Sequence, residues 1–214
     1  MTTKENSIMN RNLKTAATIA ALGAAALLSG CAFVPMTVHS HYTPPANVAK
    51  VPGADKVVVD VVVKNEKKHK NEISVTKDGY DIGMAGVYMH VDKDFKYAID
   101  KALAVRGFKA GSDGGAEISV TVKTFFLKET NGFSGITHIG NLNILVDVRN
   151  DNGQRTYSRD IVVNNFKQKL GAWSLSTGRN SSANKLLNIG VNKLVSDDQF
   201  IHALMVAGDS HTNG

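Results

Sequence analysis

Hydrophobic and polar positions change character twice along this chain. From about Thr15 to Leu28 the residues are almost all apolar, mostly alanine and leucine, and the run stops at Ser29-Gly30-Cys31. All the prolines then follow together, at Pro35, Pro44, Pro45 and Pro52. Beyond Gly53 the alternations and stripes of a folded domain begin.

The domain opens on Val57-Val58-Val59-Asp60-Val61-Val62-Val63. β-branched residues at nearly every position predict an interior strand covered on both faces. Residues 64–72 form a polar connection, 73–76 a short strand, and Gly79, Gly83 and Gly86 loosen what comes next. Phe95, Ala98, Ile99, Ala102 and Leu103 make one apolar helical face, with Asp92 as its cap and Gly107 ending it. Ile118, Val120 and Val122 alternate with polar residues, as do Leu142, Ile144, Val146 and Val148. Asp151-Asn152-Gly153 makes a tight turn into a strand through Tyr157, Ile161 and Val163, and Asn131-Gly132 with Gly135 marks an earlier turn. Residues 116–166 thus predict an antiparallel meander.

A second helix buries Ala183, Leu186, Leu187, Gly190, Val191 and Leu194, capped by Ser181 or Ser182. A last short helix carries Phe200, Ile201, Leu204 and Met205, capped by Asp197 or Asp198. The order β-α-β-β-β-α-α predicts an α+β fold: a mainly antiparallel sheet of about four strands with two main helices on one face.

The apolar N-terminal run changes the picture most. Arg11 and Lys14 precede it, and it is shorter than the roughly 20 residues of a bilayer span. Those are secretory-signal features. Leu28, Ser29, Gly30 and Cys31 resemble the lipobox of bacterial lipoproteins. The resemblance implies cleavage before Cys31, a diacylglyceryl group on its sulfur and attachment to a membrane through lipid. Cys31 is the sole cysteine, so no disulfide is expected. Ala32, where aspartate resembles an inner-membrane signal, implies the periplasmic face of the outer membrane. The expected organisation is signal peptide 1–30, lipidated cysteine and Pro-rich tether 31–54, periplasmic domain 55–207 and flexible tail 208–214. An extended tether of that length spans several tens of ångströms, at about 3.1 Å per residue. Losing Lys4, Arg11, Lys14 and Glu5 with the signal takes the net charge from +6 to +4. That excess does not point to nucleic acid, and it suits anionic lipid or lipopolysaccharide phosphate.

The helix ending in Arg106-Gly107-Phe108, the Ala116-Glu117-Ile118-Ser119-Val120-Thr121-Val122 strand, the Asn150-Asp151-Asn152-Gly153 turn and the Asp197-Asp198-Gln199-Phe200 helix start resemble the YajG-type family of uncharacterised bacterial lipoproteins. The resemblance covers most of residues 56–205 and carries over no catalytic residue. The topology is also similar, more distantly, to auxiliary lipoproteins of lipopolysaccharide assembly.

No catalytic constellation, metal site or cofactor signature is read. The histidines are scattered, with His39 and His41 in the tether, and a metal needs three or four converging ligands. Gly208-Asp209-Ser210-His211 lies in the tail, not on the rigid turn a nucleophilic serine needs. Gly111-Ser112-Asp113-Gly114-Gly115 precedes a strand, whereas phosphate-cradling loops precede a helix. Two surface candidates remain. Lys64, Lys67, Lys68 and Lys70 could contact a polyanion, although Glu66 and Glu72 interrupt the run and a solvated loop is the plainer reading. Phe125, Phe126, Leu127, Phe133 and Trp173 could form an apolar partner surface or simply core. The expected role is a non-enzymatic binding or accessory module of the cell envelope, with an envelope protein or glycolipid as partner. A lipid-transport auxiliary is the alternative. A hydrolase is the third reading, to be removed if serine, histidine and carboxylate side chains lie far apart.

Overall fold

A computed structural model describes residues 34–77, 80, 82–112, 115–132, 135–171 and 175–212. The elements are β1 (Met36–Thr37), β2 (Val58–Asn65), β3 (Glu72–Lys77), β4 (Gly83–Tyr88), α1 (Val91–Arg106), β5 (Lys109–Ala110), β6 (Ala116–Gly132), β7 (Gly135–Asn150), β8 (Arg155–Leu170), α2 (Leu175–Val195) and α3 (Asp198–Thr212). The class is α+β, but the sheet is not the expected four antiparallel strands. Strands β5-β2-β6-β7-β8 form one mixed sheet, and β1-β4-β3 form a second of three.

The meander is present and longer than expected. β6, β7 and β8 pair antiparallel along almost their whole length, while β2 joins β6 in parallel. Even-numbered residues of β6 from Ala116 to Val122 face the core. A bulge between Val122 and Thr124 then reverses the parity, so Phe125, Leu127 and Glu129 face inward instead. β2 is not covered on both faces: burial alternates, and Val62 is 37% exposed. The glycine-loosened stretch after β3 is itself a strand, β4, paired antiparallel with β3.

α1 buries Val91, Phe95, Ala98, Ile99, Ala102 and Leu103. Phe95 meets Phe125 edge-on at 5.4 Å. The helix ends at Gly107, whose φ of 103° suits a residue without Cβ. Its N-cap is His90 rather than Asp92; Asp92 and Asp94 instead favour the first-turn dipole. α2 begins at Leu175, so Ser181 and Ser182 are interior rather than caps. Asp197 does cap α3, its carboxylate accepting the Gln199 amide at 3.0 Å. α3 runs to Thr212, with Ala207 and Gly208 buried, so the helix occupies most of the expected tail. The three helices share one apolar core against the sheet.

The segment read as a tether is docked from β1 onward. β1 pairs in parallel with β4, Met36 opposite Val87 and Thr37 opposite Tyr88. The Val38 amide donates to the Tyr88 carbonyl at 2.8 Å. Val38, Ser40 and Tyr42 are buried while Thr37, His39, His41 and Thr43 are exposed, which is the two-residue period of an extended chain. Further on, the Val51 amide donates to the Arg106 carbonyl and Arg106 donates to the Ala49 carbonyl. Proline explains the misreading: it marks loss of regular ladders, not loss of packing.

Candidate functional site

Leu28, Ser29, Gly30 and Cys31, the residues of the anchor motif, lie outside the described residues, as do Phe133 and Trp173. No described helix is long and apolar enough to cross a membrane.

The basic loop between β2 and β3 is in place, but it is not a uniform cationic face. Lys64, Lys68 and Lys70 are exposed, whereas Lys67 is 6% exposed. Lys67 Nζ donates to the Glu72 carbonyl at 2.7 Å and to the Lys70 carbonyl at 3.1 Å. Burial lowers its ammonium to about 8, partly opposed by the Glu72 charge. Lys67 therefore holds the loop closed and does not face a polyanion. Lys70 Nζ is also engaged, donating to the Asn65 carbonyl at 2.8 Å. A hollow of about 170 Å³ lies beside this loop, lined by Lys68, His69, Lys123 and Phe126 among others. The basic run and the aromatic stretch thus meet in space. Phe125 and Leu127, however, are core residues; from that stretch Phe125 and the partly buried Phe126 line the hollow.

A second, larger cleft of about 640 Å³ lies between β8 and the α2–α3 corner. Two of its charged groups, Arg159 and Asp197, already pair with each other. Arg159 donates to Asp197 and to Gln199, and Tyr157 donates to the same Asp197 carboxylate at 2.9 Å. Burial, then the Asp197 contact, pushes the Tyr157 hydroxyl up.

The constellation the sequence did not reveal is interior. Glu129 on β6, His138 on β7, and Arg179 and Ser182 on α2 are all buried. Arg179 clamps Glu129 with two hydrogen bonds of 2.9 and 3.0 Å. His138 Nε2 lies 3.3 Å from Glu129 and its Nδ1 2.7 Å from Ser182 Oγ, which donates onward to Gln168. Burial alone would raise the Glu129 carboxyl; the His138 and Arg179 hydrogen bonds and the Arg179 charge outweigh it and bring it to about 2. Serine, histidine and carboxylate therefore do converge, so separation alone does not remove the hydrolase reading. Yet Ser182 is 0% exposed, and a nucleophile must reach its substrate. The arrangement fastens α2 to the sheet.

α2 does the same for the extended segment after β1. Asn180, Asn184, Asn188 and Asn192 recur every fourth residue and so lie along one side of the helix. The amides of His39, His41 and Thr43 donate to the side-chain oxygens of Asn180, Asn184 and Asn188. Tyr42 donates its hydroxyl to Asn192 at 2.6 Å. The spacing was visible in the sequence; its partners, more than 140 residues away, were not.

Residues 44–205 match the family of uncharacterised lipoproteins, and the chain belongs to that family. No curated protein matches it. Among solved structures it is similar to a Xanthomonas campestris protein, at 11% identity and TM-score 0.46 over 85% of this chain and 99% of that one. It is also similar to a minor lipoprotein of Acinetobacter baumannii, at 8% identity and TM-score 0.41 over 69% and 95%. A lipoprotein of Neisseria meningitidis is similar at 10% identity and TM-score 0.32 over 62% and 99%.

Proposed function

We propose that this chain is a lipid-anchored envelope lipoprotein whose folded domain is a non-enzymatic binding or accessory module at the periplasmic face of the outer membrane. The observation that carries the reading is the Leu28-Ser29-Gly30-Cys31 motif ahead of a domain that belongs to a lipoprotein family. The buried state of Ser182, His138 and Glu129 supports a non-enzymatic role, since this serine–histidine–carboxylate cluster is closed off from solvent. The hollow at the basic loop falls below the range of about 300–1,000 Å³ in which pockets enclose small ligands. At this loop it therefore favours contact at a surface over enclosure of a lipid, and Lys64, Lys68 and Lys70 are the exposed cations of the loop.

The test compares wild type with Cys31→Ala by intact mass and membrane fractionation. A lipid-sized mass gain on Cys31, lost together with membrane association in the variant, is expected. An unmodified, uncleaved, soluble wild type overturns the reading. Crosslinking in intact envelopes then addresses the partner, and repeated failure to recover one counts against a binding role.

A further inference from the structure

We infer that the end of the domain bearing the β3–β4 turn rests on the membrane, with Tyr80 and Ile82 in the headgroup layer and lysines of the adjoining sheet facing anionic lipid. This rests on the Cys31 anchor proposed above. It also makes the anchor a short leash, because the docked segment leaves little chain to spare.

Five residue steps separate Cys31 from Met36, the first residue of β1. Fully extended they cover at most about 18 Å. The interfacial layer of one leaflet takes up roughly 5–8 Å of that. β1 is therefore held close over the bilayer, whatever path the intervening residues take.

Topology then decides which end faces down. β1 and β4 are parallel, so the chain entering β1 comes from the Gly83 end of β4. β3 and β4 are antiparallel with Lys77 opposite Gly83, so the β3–β4 turn occupies that same end. Here the large apolar residues stand out from the surface: Val34 is 61% exposed, Ile82 59% and Tyr80 89%. A tyrosine with an apolar neighbour suits a layer that is part hydrocarbon and part water.

Charge at this end agrees. Asn131 at the end of β6 donates to the Lys77 carbonyl, which sets the β6–β7 turn beside the β3–β4 turn. On the strands that reach this end, Lys128, Lys167 and Lys169 are exposed, and Lys128 and Lys167 both register with Ile139 of β7. Across residues 124–132, 135–145 and 161–170 the sole carboxylate is Glu129, which is buried and paired with Arg179. Counting Lys77 with those three lysines, and the Asp78 and Asp81 that lie between β3 and β4 in sequence, gives a net +2. A cationic surface with apolar tips is what a negatively charged leaflet attracts. The other end of the meander, Asp151-Asn152-Gly153-Gln154, is polar and lies about 50 Å away along the 16-residue β7.

The experiment uses the full-length, membrane-purified protein in vesicles of phosphatidylethanolamine and phosphatidylglycerol containing a headgroup-quencher lipid. A fluorophore is placed through Ile82→Cys or, as the distant reference, Gln154→Cys; the thioether at Cys31 does not label. Quenching several-fold stronger at position 82 than at 154, and weaker when phosphatidylcholine replaces phosphatidylglycerol, is expected. Tyr80→Cys repeats the reading if Ile82→Cys fails to fold. Equal, weak quenching at both positions on a chain whose mass shows the lipid overturns the docking proposal alone, leaving the tip to a protein partner. A chain without lipid mass on Cys31 overturns the anchor and this proposal together.

Discussion

Replacing Glu129 by glutamine keeps the shape of the side chain and removes its charge. The Arg179 guanidinium is then left in the interior with no anion. Two routes give the magnitude. A carboxyl moved from an ordinary 4.5 to about 2 is stabilised as the anion by about 3 kcal/mol in the fold. Breaking a buried ion pair by removing one member costs about 3–5 kcal/mol. Both put Glu129→Gln near 3 kcal/mol, or roughly 6–12 °C in Tm for a domain of this size. Urea unfolding followed by circular dichroism at pH 7 reads the difference directly. The pH dependence supplies a sharper check. The folded value of Glu129 lies below its unfolded value, so its contribution is complete above about 4.5 and drains away as pH falls toward 2. The gap between wild type and variant should close over that window. A gap under about 0.5 kcal/mol at pH 7, within the range of ordinary surface changes, would refute the reasoning. So would a gap that does not change with pH.

Asn184→Ala removes the acceptor for the His41 amide and should cost about 1 kcal/mol, with faster hydrogen exchange at that amide; unchanged exchange there would mean the bond holds nothing in place. Lys67 titrates near 8 in the fold and near 10.5 unfolded, so the native state sheds its proton first and stability should rise with pH from about 8. Lys67→Met should flatten that rise, and an identical slope in both proteins would contradict it. Asp197→Ala removes the α3 cap together with the acceptor of Tyr157 and Arg159, at about 1–2 kcal/mol. The Tyr157 hydroxyl should then ionise at lower pH in ultraviolet difference spectra, and no movement would separate it from Asp197.

Regular spacing explains what could be read beforehand. Phe95, Ala98, Ile99, Ala102 and Leu103 keep one helical face without interruption, and every one of them is buried in α1. β7 keeps a single parity from Ile136 to Val148, so Leu142, Ile144, Val146 and Val148 were equally plain, while Ile136, His138 and Gly140 extend the same series beyond what was read. β6 was read short because the bulge after Val122 breaks its alternation, and a broken alternation looks like a strand end. Beyond that point Glu129 occupies an inward position, but a charged residue in a strand is normally read as outward. The guanidinium that makes its burial tolerable arrives from α2, 50 residues later. In the docked segment the alternation of Val38, Ser40 and Tyr42 was present, and four nearby prolines masked it. Lys67 sits among exposed lysines in sequence, and only the fold back to the Glu72 carbonyl turns it inward.

The asparagines of α2 and the segment they hold behave as the two scales of a vernier. Four residues of helix advance about 6.0 Å, whereas two residues of extended chain advance about 6.4–6.8 Å. Such scales can coincide at one mark and must drift apart on either side. The central pair, His41 with Asn184, is 2.8 Å, and its neighbours at His39 and Thr43 open to 3.3 and 3.4 Å. The next graduation would need an amide at position 45, where proline has none, and Asn192 takes the Tyr42 hydroxyl instead. A one-residue slide would present the wrong faces along the whole scale. The point at which the segment enters the domain is thus indexed to a single position, and with it the number of residues that precede β1.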